Sequence, residues 1–430
     1  MKKPLIVREY DEIINLDNKK DGMIVKTLPS DTFDNLKLFI EEFNTEMHEA
    51  DALDFMRVGY KRNYGDVITI RNYVGLIQMN DGTQIEVLPK LSFEGEYETI
   101  AKQVFIKMLR SLKEFSGKVF NSASLNVDRM NLYEIFISMY IQEVRHLVKT
   151  GIKSFYETKE DNLKVYKGKL KVKEQQRYNN VHKERFFVAY DEYTTNRTEN
   201  RLIKSTLLKL QKLSNYIENV KEIQNLLNSF ELIEPSTNFD SDFSKVTINR
   251  GNKEYETIMI WSKVFLYNRS FTTFSGSTTA RALLFPMEKI FESYVASELK
   301  KHLRDKDWSI STQDKVFYLF DEPSKFSLRP DIVITKENDE TIILDTKWKI
   351  LIDDERKNYG VSQADMYQMY AYAKKYESKK VFVIYPLNPE MSKYAIDGIE
   401  FRSEGISVQL LFIDLLNVDD SLKYITDKMI

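Results

Sequence analysis

Two aspartates and a lysine stand where two apolar segments adjoin. Leu328-Arg329-Pro330-Asp331-Ile332-Val333-Ile334 is followed by polar Lys336-Glu337-Asn338-Asp339-Glu340, then by Ile342-Ile343-Leu344-Asp345-Thr346-Lys347. This pattern predicts a hairpin turning about Asn338. Asp331 and Asp345 are equally distant from that centre, so they oppose one another with Cβ atoms roughly 5 Å apart. Lys347 is on the same face by the strand period of two. Two ionised carboxylates at about 5 Å repel by roughly 3 kcal/mol at an effective dielectric of about 20. Either one holds a proton or a cation lies between them. Such oxygen ligands suit Mg²⁺, or alternatively Mn²⁺. Lys347 would then offset charge in a phosphorane-like transition state or help deprotonate water. This is the chemistry of metal-assisted phosphodiester hydrolysis. The bland alternative is a hairpin with a surface Lys–Asp pair. The acid-x-lysine triplet alone recurs at Asp17-Asn18-Lys19, Glu157-Thr158-Lys159 and Glu298-Leu299-Lys300, so the apolar setting carries the information.

Flanking elements must position these groups. Upstream, Leu283 to Val295 reads as an amphipathic helix with Pro286 near its first turn and a stripe of Met287, Ile290, Phe291, Tyr294 and Val295. Glu292 borders the stripe within reach of the acids, and Glu288 is the alternative one turn earlier. Downstream, Ser362 to Glu377 reads as a helix on which Gln368 and Tyr372 share one face. There they would hold a phosphate, sugar or base, unless Gln368 is merely solvated. Lys380 to Pro386 and Val408 to Leu415 complete a buried sheet.

In these motifs the C-terminal part resembles the PD-(D/E)XK nuclease superfamily, in the branch with a Q-x-x-x-Y helix after the lysine. The resemblance implies Asp331 and Asp345 as metal ligands, Glu292 as an accessory ligand, and Lys347 as base or charge stabiliser. It implies Gln368 and Tyr372 as substrate-positioning residues. The acid before the lysine is Asp, a variation this superfamily accommodates. Further motifs are Arg71-Asn72-Tyr73-Val74-Gly75-Leu76-Ile77 with Ile85-Glu86-Val87-Leu88-Pro89-Lys90, then Tyr166-Lys167-Gly168-Lys169-Leu170 and Glu199-Asn200-Arg201-Leu202-Ile203-Lys204. With them, nearly the whole chain is similar to the McrC family, the nuclease subunits of McrBC-type modification-dependent restriction systems. That likeness implies a Mg²⁺-dependent DNA endonuclease acting on double-stranded, modified DNA such as that bearing 5-methylcytosine. It also implies an McrB-like hexameric AAA+ GTPase partner, docked by the N-terminal part. The rivals are a repair nuclease of the same fold without this partner, and a non-catalytic adaptor that activates an NTPase.

Composition sets the outer bounds. The chain has 430 residues, 42% of them hydrophobic, enough for two or three cores. It has no cysteine, and its four histidines are scattered, which argues against disulfides and zinc. No apolar run approaches the roughly 20 residues needed to span a bilayer, so a cytoplasmic location is expected. Net charge is −2 and the pI about 6.2, so affinity for DNA needs local patches or a partner. Lys167, Lys169, Lys171 and Lys173 share one parity, as a strand following phosphates or as a guarded edge strand. No G-x-x-x-x-G-K-[ST] loop occurs, so the chain is not expected to bind a nucleotide cofactor itself.

The expected fold is α+β and multidomain. Residues 1–150 form a β-rich N-terminal domain followed by helices, for partner docking. Residues 151–275 form a mainly helical middle, and 276–430 an α/β restriction-endonuclease-like core. Expected helices are Asp31 to Phe43, Tyr97 to Phe115, Leu132 to Val148, Asp191 to Leu213 and Ile217 to Leu232. Asn80-Asp81-Gly82 closes a hairpin, and Pro235 to Asp242 and Ser275 to Thr279 read as loops.

Overall fold

A computed structural model describes residues 4–20, 25–46, 55–91, 97–112, 130–267 and 280–430. The chain is α+β and divides into two compact units. One gathers the described residues up to 132 together with 280–430; the other holds 133–267. The N-terminal and C-terminal thirds therefore share one unit, a grouping that the three consecutive stretches of the sequence do not express.

In the first unit, Leu5–Arg8, Gln84–Leu88, Tyr73–Met79 and Ala280–Pro286 form a four-stranded sheet in that order. A second sheet joins Lys26–Leu28, Glu12–Asn15, Gly65–Ile70 and Met56–Lys61. Helix Ser30–Glu46 buries Phe33, Leu36, Phe39, Ile40 and Phe43 against both. The expected hairpin at Asn80-Asp81-Gly82 is present, with Gly75 opposite Val87. Leu283 to Pro286, expected to begin a helix, is strand. Its apolar run pairs antiparallel with Tyr73–Met79, a partner more than 200 residues away, and only at Met287 does the helix to His302 begin.

The six-stranded sheet that carries the acids runs Ser309–Thr312, Ile332–Thr335, Thr341–Thr346, Lys380–Pro386, Ile406–Ile413, Ile399–Ser403. Lys380–Pro386 pairs in parallel with both neighbours, and its continuous apolar run suits a strand covered on both faces. Odd-numbered Ile343, Val381 and Val383, with even-numbered Val408 and Leu410 of the neighbouring strand, pack against Met369, Tyr372 and Ala373 of helix Gln363–Lys375. Ser362 caps that helix by accepting from the Asp365 N–H. Helices Met287–His302 and Val418–Met429 pack together and against the same sheet.

The second unit mixes helices Leu132–Thr150, Thr198–Leu213, Ile217–Ser229 and Tyr255–Tyr267 with a small sheet. Three expectations change here. Asp191 to Thr194, expected as helix, ends the strand Phe186–Thr194, whose partner is Phe155–Leu163. The lysine stripe is not a strand: only Lys169–Leu170 is extended, and Lys173 lies in helix Val172–Tyr178. Its charges are engaged locally, Lys171 with Glu160 at 2.6 Å and Lys167 over the Tyr190 ring. Within the expected loop at Pro235 to Asp242, helix Phe239–Lys245 begins behind an Asn238 cap. Phe115 and Ser275 to Thr279 lie outside the described residues. Among those described, no helix is long and apolar enough to cross a membrane.

Candidate active site

The hairpin forms in the expected register, Ile332 opposite Leu344 and Ile334 opposite Ile342. Continued by one residue, it brings Asp331 to Asp345. The regular ladder stops short of Asp331, whose carboxylate instead turns to the strand end. Its Oδ2 accepts from the Thr346 N–H and the Thr346 hydroxyl, both at 2.7 Å. Asp345 is 1% exposed. The Lys347 ammonium lies 2.7 Å from its Oδ2, an ion pair made in a buried setting. An apolar strand that ends in such a group concentrates field at one place.

Electrostatics follow from that burial. Asp345 is pushed up to about 7 by burial first and by Asp331 second, against the pull of Lys347. Asp331 is raised by burial, partly countered by its bonds from Thr346. Burial alone would lower Lys347, but Asp345, then Asp331 and Asp365, outweigh it and push the ammonium up to about 12. Lys347 is thus a cation at any physiological pH.

Strand Ala280–Pro286 runs straight into helix Met287–His302, whose first N–H, at Met287, bonds Asn72 O at 2.9 Å. The first sheet thereby sets the direction from which Glu288 and Glu292 approach. Glu292 is pushed up to about 7, by burial first and then by Asp331. Glu288 is raised too, by burial first, although its surface is largely open; Asp331 and Asp365 add to the rise and Lys347 opposes it. Both helix acids therefore feel the site, and Glu292 feels Asp331 more directly. Gln313 explains part of its placement. The Gln313 side chain donates to Glu292 Oε1 while its own N–H bonds the Asp331 carbonyl at 3.0 Å.

On the opposing helix, Gln368 Nε2 donates to the Tyr372 hydroxyl at 2.7 Å, and its Oε1 faces the Lys347 ammonium at 3.5 Å. The i, i+4 spacing thus delivers an amide to the lysine. Tyr372 is 2% exposed, its phenol raised by burial first and Asp345 second.

The structure therefore assembles Asp331, Asp345, Lys347, Gln368 and Tyr372, with Glu292 held alongside through Gln313. The donors suit a hard divalent ion: Asp331 and Asp345 bring carboxylate oxygens together at a dry strand end. Among the described residues no three acidic or histidine groups converge closely enough to enclose one. Glu292 is thus not brought into a three-carboxylate cage, and an ion here would keep several waters. The sequence alone gives neither Thr346 nor Gln313 a role. Thr346 has the wrong strand parity for the Asp345 face, and Gln313 lies on another strand end with no local signal.

Solved structures resemble this chain, two of them as follows. One is the McrB AAA+ hexamers with bound McrC from Thermococcus gammatolerans, refined as a half-complex of a tetradecameric assembly. The TM-score is 0.75 at 18% identity, with 100% of both chains covered. The other is the McrBC complex of the same organism, with a TM-score of 0.51 at 21% identity over 70% of this chain and 88% of that one. At such identities the likeness is one of fold. No curated protein matches the chain. The family model for the McrBC 5-methylcytosine restriction system component matches residues 68–386, from strand Gly65–Ile70 through the acid-bearing hairpin to the parallel strand beyond it. The chain belongs to the McrBC 5-methylcytosine restriction system component family.

Proposed function

We propose that this chain is the nuclease subunit of an McrBC-type restriction complex: a Mg²⁺-dependent DNA endonuclease with a PD-(D/E)XK core, working with a hexameric AAA+ GTPase. The observation that carries the reading is the buried Asp345 carboxylate beside Lys347, electrostatically coupled to Asp331 across the hairpin. Isolated ionisable groups do not persist in apolar strands without a compensating role. Family membership and the fold shared with McrC in its McrB complex support the partner.

Asp331 and Asp345 would hold the ion, with Glu292 as accessory through water. Bound there, Mg²⁺ would supply Lewis-acid stabilisation of phosphoryl charge and an acidified water. Lys347, a permanent cation, neutralises the non-bridging oxygen of the scissile phosphate; its high pKa makes it a charge stabiliser and not a resting base. Gln368 fixes the height of that ammonium, and Tyr372 fixes Gln368. Thr346 holds Asp331 in place. Glu292, near neutrality, takes and releases a proton at little cost.

The test is cleavage of methylated DNA by the chain reconstituted with its GTPase partner, GTP and Mg²⁺. Asp345→Asn is expected to lower cleavage by at least about a hundred-fold while GTP hydrolysis by the partner persists. Cleavage at the wild-type rate would remove the catalytic assignment and favour a non-catalytic adaptor.

A further inference from the structure

A cavity of about 240 Å³ opens beside the candidate site, lined by Tyr10, Lys90, Trp348, Lys349, Ile350 and Pro386. The chain turns tightly after Lys347, the Lys349 N–H bonding the Lys347 carbonyl at 2.9 Å. The cavity is therefore lined by the residues that directly follow Lys347 in the chain. Trp348, within that turn, is fixed: its indole N–H donates to Glu9 Oε2 at 2.9 Å, and its ring lies 5.3 Å from Phe291.

Tyr10 contributes the open side. Its φ of 69° is rare for a residue with a side chain, and the residue is 47% exposed. A costly backbone that holds an aromatic toward solvent marks a functional position. The Lys90 ammonium sits 5.2 Å from the centre of that ring. Neither Lys90 nor Lys349 is in an ion pair among the described residues. Glu9 lies beneath, with Oε1 unpartnered. Burial pushes its carboxyl up to about 7, so at neutral pH it carries its charge only part of the time.

Two ammonium groups that make no ion pair among the described residues, beside an open aromatic ring, match an anion joined to a flat ring. We propose that this cavity holds one nucleotide of a DNA strand adjacent to the scissile position, its phosphate between Lys90 and Lys349 and its base against Tyr10. The proposal rests on the nuclease reading of the neighbouring site and gives that site a strand-positioning subsite. Stacking on an aromatic ring tolerates any base, so the cavity aligns the strand without reading sequence.

The test is fluorescence anisotropy of the full chain with a fluorescein-labelled single-stranded oligonucleotide, in chelator, across a salt series. Lys90→Gln with Lys349→Gln is expected to weaken binding about ten-fold and to flatten the log–log salt slope by about 0.7, the value for one phosphate. Tyr10→Asn, a residue suited to positive φ, is expected to lose about ten-fold as well, and Tyr10→Phe to bind like wild type. Wild-type affinity and slope in both the double lysine variant and Tyr10→Asn would overturn the subsite. Cleavage by Asp345→Asn in the reconstituted complex separates the two readings. Lost cleavage with unaltered binding by the pocket variants strikes the cavity alone. Wild-type cleavage with weakened binding strikes the nuclease and leaves the cavity as a nucleic-acid site.

Discussion

Trp348 donates its indole N–H to Glu9 at 2.9 Å, joining residues 339 positions apart. This bond ties the strand end that carries Lys347 to the first sheet. Glu9 is fully buried, and its carboxyl is pushed up to about 7, mainly by burial, against bonds from Trp348 and the Lys90 N–H. The native chain therefore binds this proton more tightly than the unfolded chain does. Stability from this group is greatest below pH about 4.5, falls as pH rises toward 7, and stays reduced above it. The full cost is at most about 3 kcal/mol. Glu9→Gln keeps an oxygen for both donors and removes the charge. Chemical denaturation at pH 5 and pH 8 should find the variant's advantage larger at pH 8. An equal difference at both values would show that Glu9 does not carry the burden.

Thr346 bonds Asp331 through its N–H and its hydroxyl. Thr346→Val deletes one of two bonds that hold the carboxylate charged, so the Asp331 pKa rises further and the carboxylate loosens. Cleavage is expected to fall about ten-fold, with the acid limb of its pH profile displaced to higher pH. Thr346→Ser should restore both. A profile that keeps its position while the rate drops would make Thr346 a packing residue only.

What the sequence disclosed here was local. The symmetric spacing of Asp331 and Asp345 about Asn338 predicts the register, because a hairpin's pairing depends on nearby residues alone. The i, i+4 pair Gln368 and Tyr372 is equally local and meets as expected. Leu283 to Pro286 misled because an apolar run before a helix reads as its first turn, while its actual partner strand is remote in sequence. The lysines around Leu170 misled through period two in charge alone, with too few apolar residues to hold a strand. Glu9 looks like any acid in Arg8-Glu9-Tyr10-Asp11; only the fold places it under Trp348.

Gly75 is where the first sheet accepts the strand that leads to the acid-bearing helix. Its φ is +141°, and a Cβ there would stand 2.0 Å from the Leu283 carbonyl oxygen. That oxygen is backbone, so the strand Ala280–Pro286 would have to move. Gly75→Ala should cost about 3 kcal/mol or more, from the clash together with the disfavoured backbone angle. Gly82, in a turn at φ +81° with open space around its would-be Cβ, should cost only about 1 kcal/mol as Gly82→Ala. Denaturant midpoints of the two variants decide it, and equal losses would refute the close-approach argument.

Asp345 would couple binding of a divalent ion to stability. Its carboxyl is pushed up from 3.8 to about 7, by burial first and Asp331 second. In chelator, native wild type therefore holds a proton that the unfolded chain releases, and stability falls as pH rises between those values. A divalent ion binds the deprotonated form, so above pH 7 it should reverse the loss that burial imposes. At ten times its dissociation constant the gain is about 1.4 kcal/mol. Adding Mg²⁺ at pH 8 should raise the thermal midpoint of wild type but leave Asp345→Asn unmoved, since one of the two carboxylates that would hold the ion is then a neutral amide. This readout needs neither DNA nor the GTPase. An identical Mg²⁺ response in both proteins would place the ion elsewhere and leave Asp345 with a purely structural charge.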